Sequence, residues 1–143
     1  MKTNQEEILK KKIAQFKAEV GNRKLTPEQK KIYAAFTKTK GSSTFINVVD
    51  IYDDSIRLKI VSNSTDAGSQ HILLKHYKTS IGRVTANEIL NLTEIISKGR
   101  REKNRSYTVY SKIINNRGNI IKEVVRISKD GKTAMLKSFY SNR

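Results

Sequence analysis

Apolar residues recur at the helical period near the start of the chain. Leu9, Ile13, Phe16 and Val20 repeat in steps that place them on one stripe, which predicts a helix over about Gln5 to Val20 with Gly21 as its C-terminal cap. Lys10, Lys11, Lys12 and Lys17 fall on the remaining faces. A second helix is predicted to begin at Thr26-Pro27-Glu28-Gln29. There Thr26 caps, Pro27 takes the first turn and Gln29 reaches back, with Ile32, Tyr33 and Phe36 as the apolar positions. It should fade near Lys40-Gly41. Two runs rich in β-branched residues follow, Thr44 to Ile51 and Ser55 to Val61, joined by Asp53-Asp54 as a hairpin.

Gln70 to Tyr77 reads as a short helix. Thr85 to Lys98 reads as a longer one, because Thr85 and Glu88 form a capping box ahead of Ile89, Leu92 and Ile96, and Gly99 ends it. From Arg105 onward the period falls to two. Ser106 to Ile114, Ile120 to Ser128 and Thr133 to Tyr140 alternate between the turn signals Asn116-Arg117-Gly118 and Asp130-Gly131, as a three-stranded antiparallel meander would. Helices grouped early and strands grouped late predict a single α+β domain, with N-terminal helices packed on one face of a twisted antiparallel β-sheet. The opposite face is left for function. Residues 1–40 are expected as a helical N-terminal extension, and residues 41–143 as the α+β core.

Charge changes this picture. The 143 residues hold 29 Lys and Arg against 13 Asp and Glu, a formal +16, which favours a soluble monomer and draws it to polyanions. The excess is unevenly distributed: +7 over residues 1–40, −2 over 41–69 and +11 over 70–143. An apolar fraction of 36 % with four Phe and six Tyr still suffices for a small core. No apolar run approaches a membrane span and the first residues lack the apolar stretch of a secretory signal, so no membrane association is expected. The absence of cysteine removes disulfides, thiolate metal sites and a cysteine nucleophile.

Both histidines lie in one short window, His71 and His76. Continued along a helix, positions five apart point about 140° away from each other, so the pair does not form the chelate of a zinc-binding helix. The same geometry puts His71 beside Lys75 and Lys78 on a polar face and His76 between Ile72 and Leu73 on an apolar one. His71 is therefore the acid/base candidate and His76 the structural residue. Arg83 follows in the turn Ile81-Gly82-Arg83-Val84, where its guanidinium can approach a phosphate. Ser138 and Tyr140, two apart in the last strand, project hydroxyls from one face. The cluster Lys98, Arg100, Arg101, Lys103 and Arg105 is expected as a loop that tracks a nucleic-acid backbone, with Tyr107 and Tyr110 stacking bases.

No phosphate-binding glycine loop, paired carboxylates or Mg²⁺-type carboxylate cluster occurs. Neither a metal nor another cofactor is expected. The available groups suit RNA cleavage by its own 2′-hydroxyl, for which the protein needs only proton transfer and charge stabilisation at the phosphate.

The arrangement HILLKH (His71 to His76), a basic turn with Arg83, the segment ANEILNLTEIISKG, three strands and a terminal KSFYSNR resembles the Barnase/EndoU/colicin/RelE-like ribonucleases, particularly their phage-associated and contact-dependent inhibition toxins. The similarity covers about Ser69 to Arg143. It implies a metal-independent endoribonuclease toxin that acts on tRNA or rRNA in the bacterial cytoplasm. It also implies delivery as the C-terminal module of a larger secreted or phage-borne protein, and an acidic immunity protein as inhibitor. The implied catalytic residues are His71, Arg83, Ser138 and Tyr140, with Lys75 as a fifth, and with Ser138 standing where the family carries threonine. Lys78 joins the basic loop as an RNA-binding residue. The competing reading is a non-catalytic basic nucleic-acid-binding protein, which needs no histidine. A metal-dependent enzyme acting on DNA ranks last.

Overall fold

Thr26 and Thr85 each start a helix with the same reciprocal pair of hydrogen bonds. The threonine hydroxyl accepts from the backbone N–H three residues on, and the Gln29 or Glu88 side chain accepts from the threonine N–H. The computed structural model describes residues 4–38, 43–62, 64, 66–130 and 132–143. Its helices are α1 (Asn4–Val20), α2 (Pro27–Thr37), α3 (Gly68–Lys75), α4 (Ala86–Leu90) and α5 (Thr93–Lys98). Its strands are β1 (Ser43–Val49), β2 (Ser55–Val61), β3 (Arg100–Lys103), β4 (Thr108–Asn116), β5 (Asn119–Asp130) and β6 (Thr133–Ser141). The expected fading of the second helix at Lys40-Gly41, and Gly131 of the last turn, lie outside the described residues.

The strands form one six-stranded sheet in the order β1-β2-β6-β5-β4-β3. Four of its five strand pairs join sequence neighbours antiparallel, but β2 meets β6 in parallel at Leu58–Ala134 and Lys59–Met135. The domain is thus α+β as expected, with a mixed sheet in place of a wholly antiparallel one.

Three local expectations change for physical reasons. The first strand ends at Val49, because the Asp50 carboxylate accepts from the N–H groups of Tyr52 and Asp54 and closes the turn itself. The helix expected over Thr85 to Lys98 breaks at Asn91, whose side-chain amide donates to the Asn87 carbonyl and competes with the backbone. The basic stretch Arg100 to Lys103 forms β3, so the meander has four strands. Its charges sit on the sheet edge, where they discourage pairing with another chain.

The helices cover one face. Phe16, Val20, Ile32 and Phe36 of α1 and α2 pack with Leu58, Ile60, Ile72, Tyr110, Val125, Leu136 and Phe139 in one core. The helices α1 and α2, within the expected extension, therefore supply part of the core. Alternation along β5 sends Val125 and Ile127 into that core and Arg126 to the uncovered face. Among the described residues no helix is long and apolar enough to cross a membrane.

Candidate active site

Beyond the short β2–β6 pairing, the second half of β6 has no strand beside it on the β2 side among the described residues. The segment after α3 fills that place. The N–H of Ser141 donates to the Gly82 carbonyl, and the N–H of Gly82 donates to the Arg143 carbonyl, at 3.2 and 3.0 Å. This docking carries the two histidines to the sheet.

The helix stops at Lys75, and His76, with φ −131° and ψ −15°, has already left it. The expectation that the two imidazoles diverge assumed a helix continuing through His76. Instead the rings of His71 and His76 meet edge to face with centroids 5.6 Å apart, and His76 lies against the Tyr140 ring at 5.4 Å. Gly82 adopts φ +69°, and a Cβ there would lie 3.0 Å from His76 Nδ1. Only glycine allows this approach without displacing the imidazole.

The uncovered face continues from this pair. Register places Ser138 opposite Arg126 and Tyr140 opposite Val124, so Arg126, Ser138 and Tyr140 share one face. The Arg126 guanidinium lies over the Tyr107 ring at 5.0 Å. Burial, then the nearby charges of His71, Arg126 and Lys75, push the His76 imidazole down to about 4, so it is neutral at pH 7. His76 Nδ1 and Ser138 Oγ are both buried without a hydrogen-bond partner. Ser138 thus keeps its hydroxyl beneath the surface, and the half-buried Tyr140 is the more accessible of the two expected hydroxyl donors.

Of the expected catalytic residues, His71, Lys75 and Tyr140 lie around His76, and Ser138 shares the strand face of Tyr140. Arg83 is tied in by its carbonyl, which accepts from Ser141 Oγ and from the Arg143 guanidinium, while its side chain is exposed. Sequence reasoning passed over Arg126 and gave His76 a purely structural part. Arg126 carried a signal, a lone cation inside the apolar run Val124-Val125-Arg126-Ile127.

The expected RNA-binding residues divide. Tyr110 is fully buried and its hydroxyl donates to Asp50 at 2.6 Å, so it cannot stack a base. Arg101 is held by Asp50 and Asp54 and lies over the Tyr52 ring, which makes it a structural tie of β3. Lys78 pairs with Glu19 at 3.5 Å and Lys98 with Glu94 at 3.9 Å, both on the surface. Arg100, Lys103 and Arg105 are exposed, and Tyr107 belongs to the uncovered face through Arg126.

The N-terminal helix also reaches this region. Lys12 Nζ donates to the carbonyls of Leu74 and Tyr77 at 3.3 and 2.7 Å, and the Tyr77 hydroxyl donates to Glu19. Both contacts hold the end of α3 from which His76 projects. Among the described residues, no group of three or more His, Cys, Asp or Glu side chains could hold a metal ion. Comparison with known protein families, curated proteins and solved structures finds no match to this chain.

Proposed function

We propose that this protein is a metal-independent endoribonuclease that cleaves RNA through attack by the 2′-hydroxyl on its own phosphate. The observation that carries the reading is the meeting of two imidazoles with Arg126, Lys75 and Tyr140 on the uncovered face of the sheet. Two imidazoles supply a proton acceptor and a proton donor, and the cations supply charge stabilisation for the phosphorane.

In this mechanism His71 takes the proton of the 2′-hydroxyl. The O2′–P bond forms, the P–O5′ bond breaks, and His76 gives a proton to the departing 5′-oxygen. Burial and then the charges of His71, Arg126 and Lys75 keep His76 neutral in the free protein, so it acts as the acid after taking up a proton from solvent together with the RNA, whose phosphate offsets those charges. Arg126 and Lys75 balance the developing negative charge, and the Tyr140 hydroxyl donates to a non-bridging oxygen. Ser138 supports that strand from beneath, and Arg83 meets the strand outside the reacting phosphate. The products are a 2′,3′-cyclic phosphate and a free 5′-hydroxyl.

The resemblance of residues 69–143 to Barnase/EndoU/colicin/RelE-like toxins supports the same chemistry and extends it to tRNA or rRNA as target. An acidic inhibitor protein would cover this face. The test is incubation of RNA with the purified protein in EDTA. Fragments ending in 2′,3′-cyclic phosphate are expected, and RNA left intact while bound would contradict the proposal.

A further inference from the structure

A cleft of about 490 Å³ opens where β2 and β6 begin and β4 and β5 meet the Asn104–Tyr107 loop. Its floor is apolar, from Ile56, Ile127 and Ala134, with the buried Tyr110 packed beneath. Its rim carries Lys103, Arg105, Lys129 and Lys132; Arg57, stacked on Phe45, and Arg101, paired with Asp50 and Asp54, also line it. Asp54 is the only carboxylate among the described lining residues, and Arg101 already holds it. Register puts Lys129 on the same side as Ala134 and Ile127, so its side chain belongs to the cleft and not to the histidine face.

An apolar floor under a ring of cations suits a ligand with one flat, weakly polar part and one anionic part. Its volume falls in the range of small-ligand pockets, roughly 300–1,000 Å³. A nucleotide has this division, with a base to lie on the floor and a phosphate to meet the rim. Tyr107 connects the cleft to the candidate active site, since it lines the cleft and also carries the Arg126 guanidinium on its ring. Arg126 and Lys129 are three residues apart on β5, about 10 Å of strand. The two side chains project from opposite faces, so an RNA strand that meets both bends round the end of the sheet at Tyr107.

We propose that this cleft is a nucleotide subsite, which holds a nucleotide flanking the scissile phosphate after the strand passes over Tyr107. The proposal rests on the reading of the histidine face as an RNA site, but it concerns binding and not the cleavage step. Titration calorimetry with adenosine 3′-monophosphate and uridine 3′-monophosphate, with inorganic phosphate as control, tests it on the intact chain. At least one nucleotide should bind at least tenfold more tightly than inorganic phosphate. The Lys129→Glu/Lys132→Glu double variant should weaken that binding at least tenfold, with an unchanged melting temperature showing that the fold is kept.

The His71→Ala/His76→Ala double variant separates the two claims, and its nucleotide affinity should match that of the parent. Cleaved RNA without nucleotide binding would overturn the subsite and leave the ribonuclease standing. Nucleotide binding without cleavage would do the reverse. Nucleotide and phosphate binding equally well, or an affinity untouched by the Lys129 and Lys132 changes, would also overturn the subsite.

Discussion

The His76 imidazole lies on the Tyr140 ring with centroids 5.4 Å apart and planes inclined by 35°. A residue just past the end of α3 is thereby fixed against the last strand. Tyr140 then has two parts, a ring that orients His76 and a hydroxyl that meets phosphate. Tyr140→Phe should keep the first and lose the second, lowering the cleavage rate by about one to two orders of magnitude, a hydrogen bond's worth of transition-state stabilisation. Tyr140→Leu should lose both and fall further. A Tyr140→Phe rate equal to the parent's would show that the hydroxyl does nothing, and a single rate shared by the two variants would show the same of the ring.

Gly82 offers a test that touches no reacting group. Gly82→Ala places a Cβ 3.0 Å from His76 Nδ1 on a backbone with φ +69°, which should cost roughly 1–3 kcal/mol of stability. Because the imidazole must move, its titration, followed by NMR of its ring protons, should shift back from about 4 toward the free value. A titration left in place would mean that Gly82 serves the turn alone.

Lys12 joins the N-terminal helix to the histidine segment by hydrogen bonds to the Leu74 and Tyr77 carbonyls. Lys12→Met keeps the length of the side chain and removes both bonds, at an expected cost of about 1–2 kcal/mol. Amide exchange should accelerate at residues 76–78 more than in β4 or β5. Uniform acceleration across the sheet would contradict this local role.

Two buried groups give stability opposite dependences on pH. The Glu123 carboxyl is pushed up to about 8 by burial and by its hydrogen bond with Glu88, which Arg143 holds in its ionised form at 2.7 and 2.8 Å. A carboxyl raised above its unfolded value stabilises the fold fully below that value, and the contribution is lost as pH rises through 8. His76 is depressed, so its contribution is complete above about 6.5, the unfolded value. It is lost as pH falls toward 4. Glu123→Gln should therefore raise the melting temperature at pH 8.5 while changing little at pH 5, and His76→Gln should flatten the acid side. Melting curves of both variants across pH check the two signs.

The parts of the fold legible in the sequence are those set by local chemistry. The Thr26 and Thr85 capping boxes and the Arg117-Gly118 turn between β4 and β5 form where their residues predict. The parallel contact of β2 with β6 joins residues far apart in sequence, and no local pattern encodes it. Arg100 to Lys103 lacks the apolar alternation of a strand, because an edge strand outside the core needs no apolar face. His71 and Tyr140 were legible as candidates from residue type. The part of His76 was not, because its direction depends on a helix ending at Lys75, two residues short of the expected Tyr77, and on Gly82 returning to β6. Arg126 was readable from the alternation of β5, once the side of the sheet facing the helices is known.

The most direct test of the central claim is the cleavage of RNA in EDTA by the parent protein, His71→Ala, His76→Ala and Arg126→Ala, with salt-dependent RNA binding measured on the same samples. The parent should release fragments with 2′,3′-cyclic phosphate ends, and each histidine variant should lose about 10²–10⁴-fold in rate. RNA binding should remain in both histidine variants. Equal cleavage by all four proteins, or intact RNA with a fully bound parent, would contradict the account.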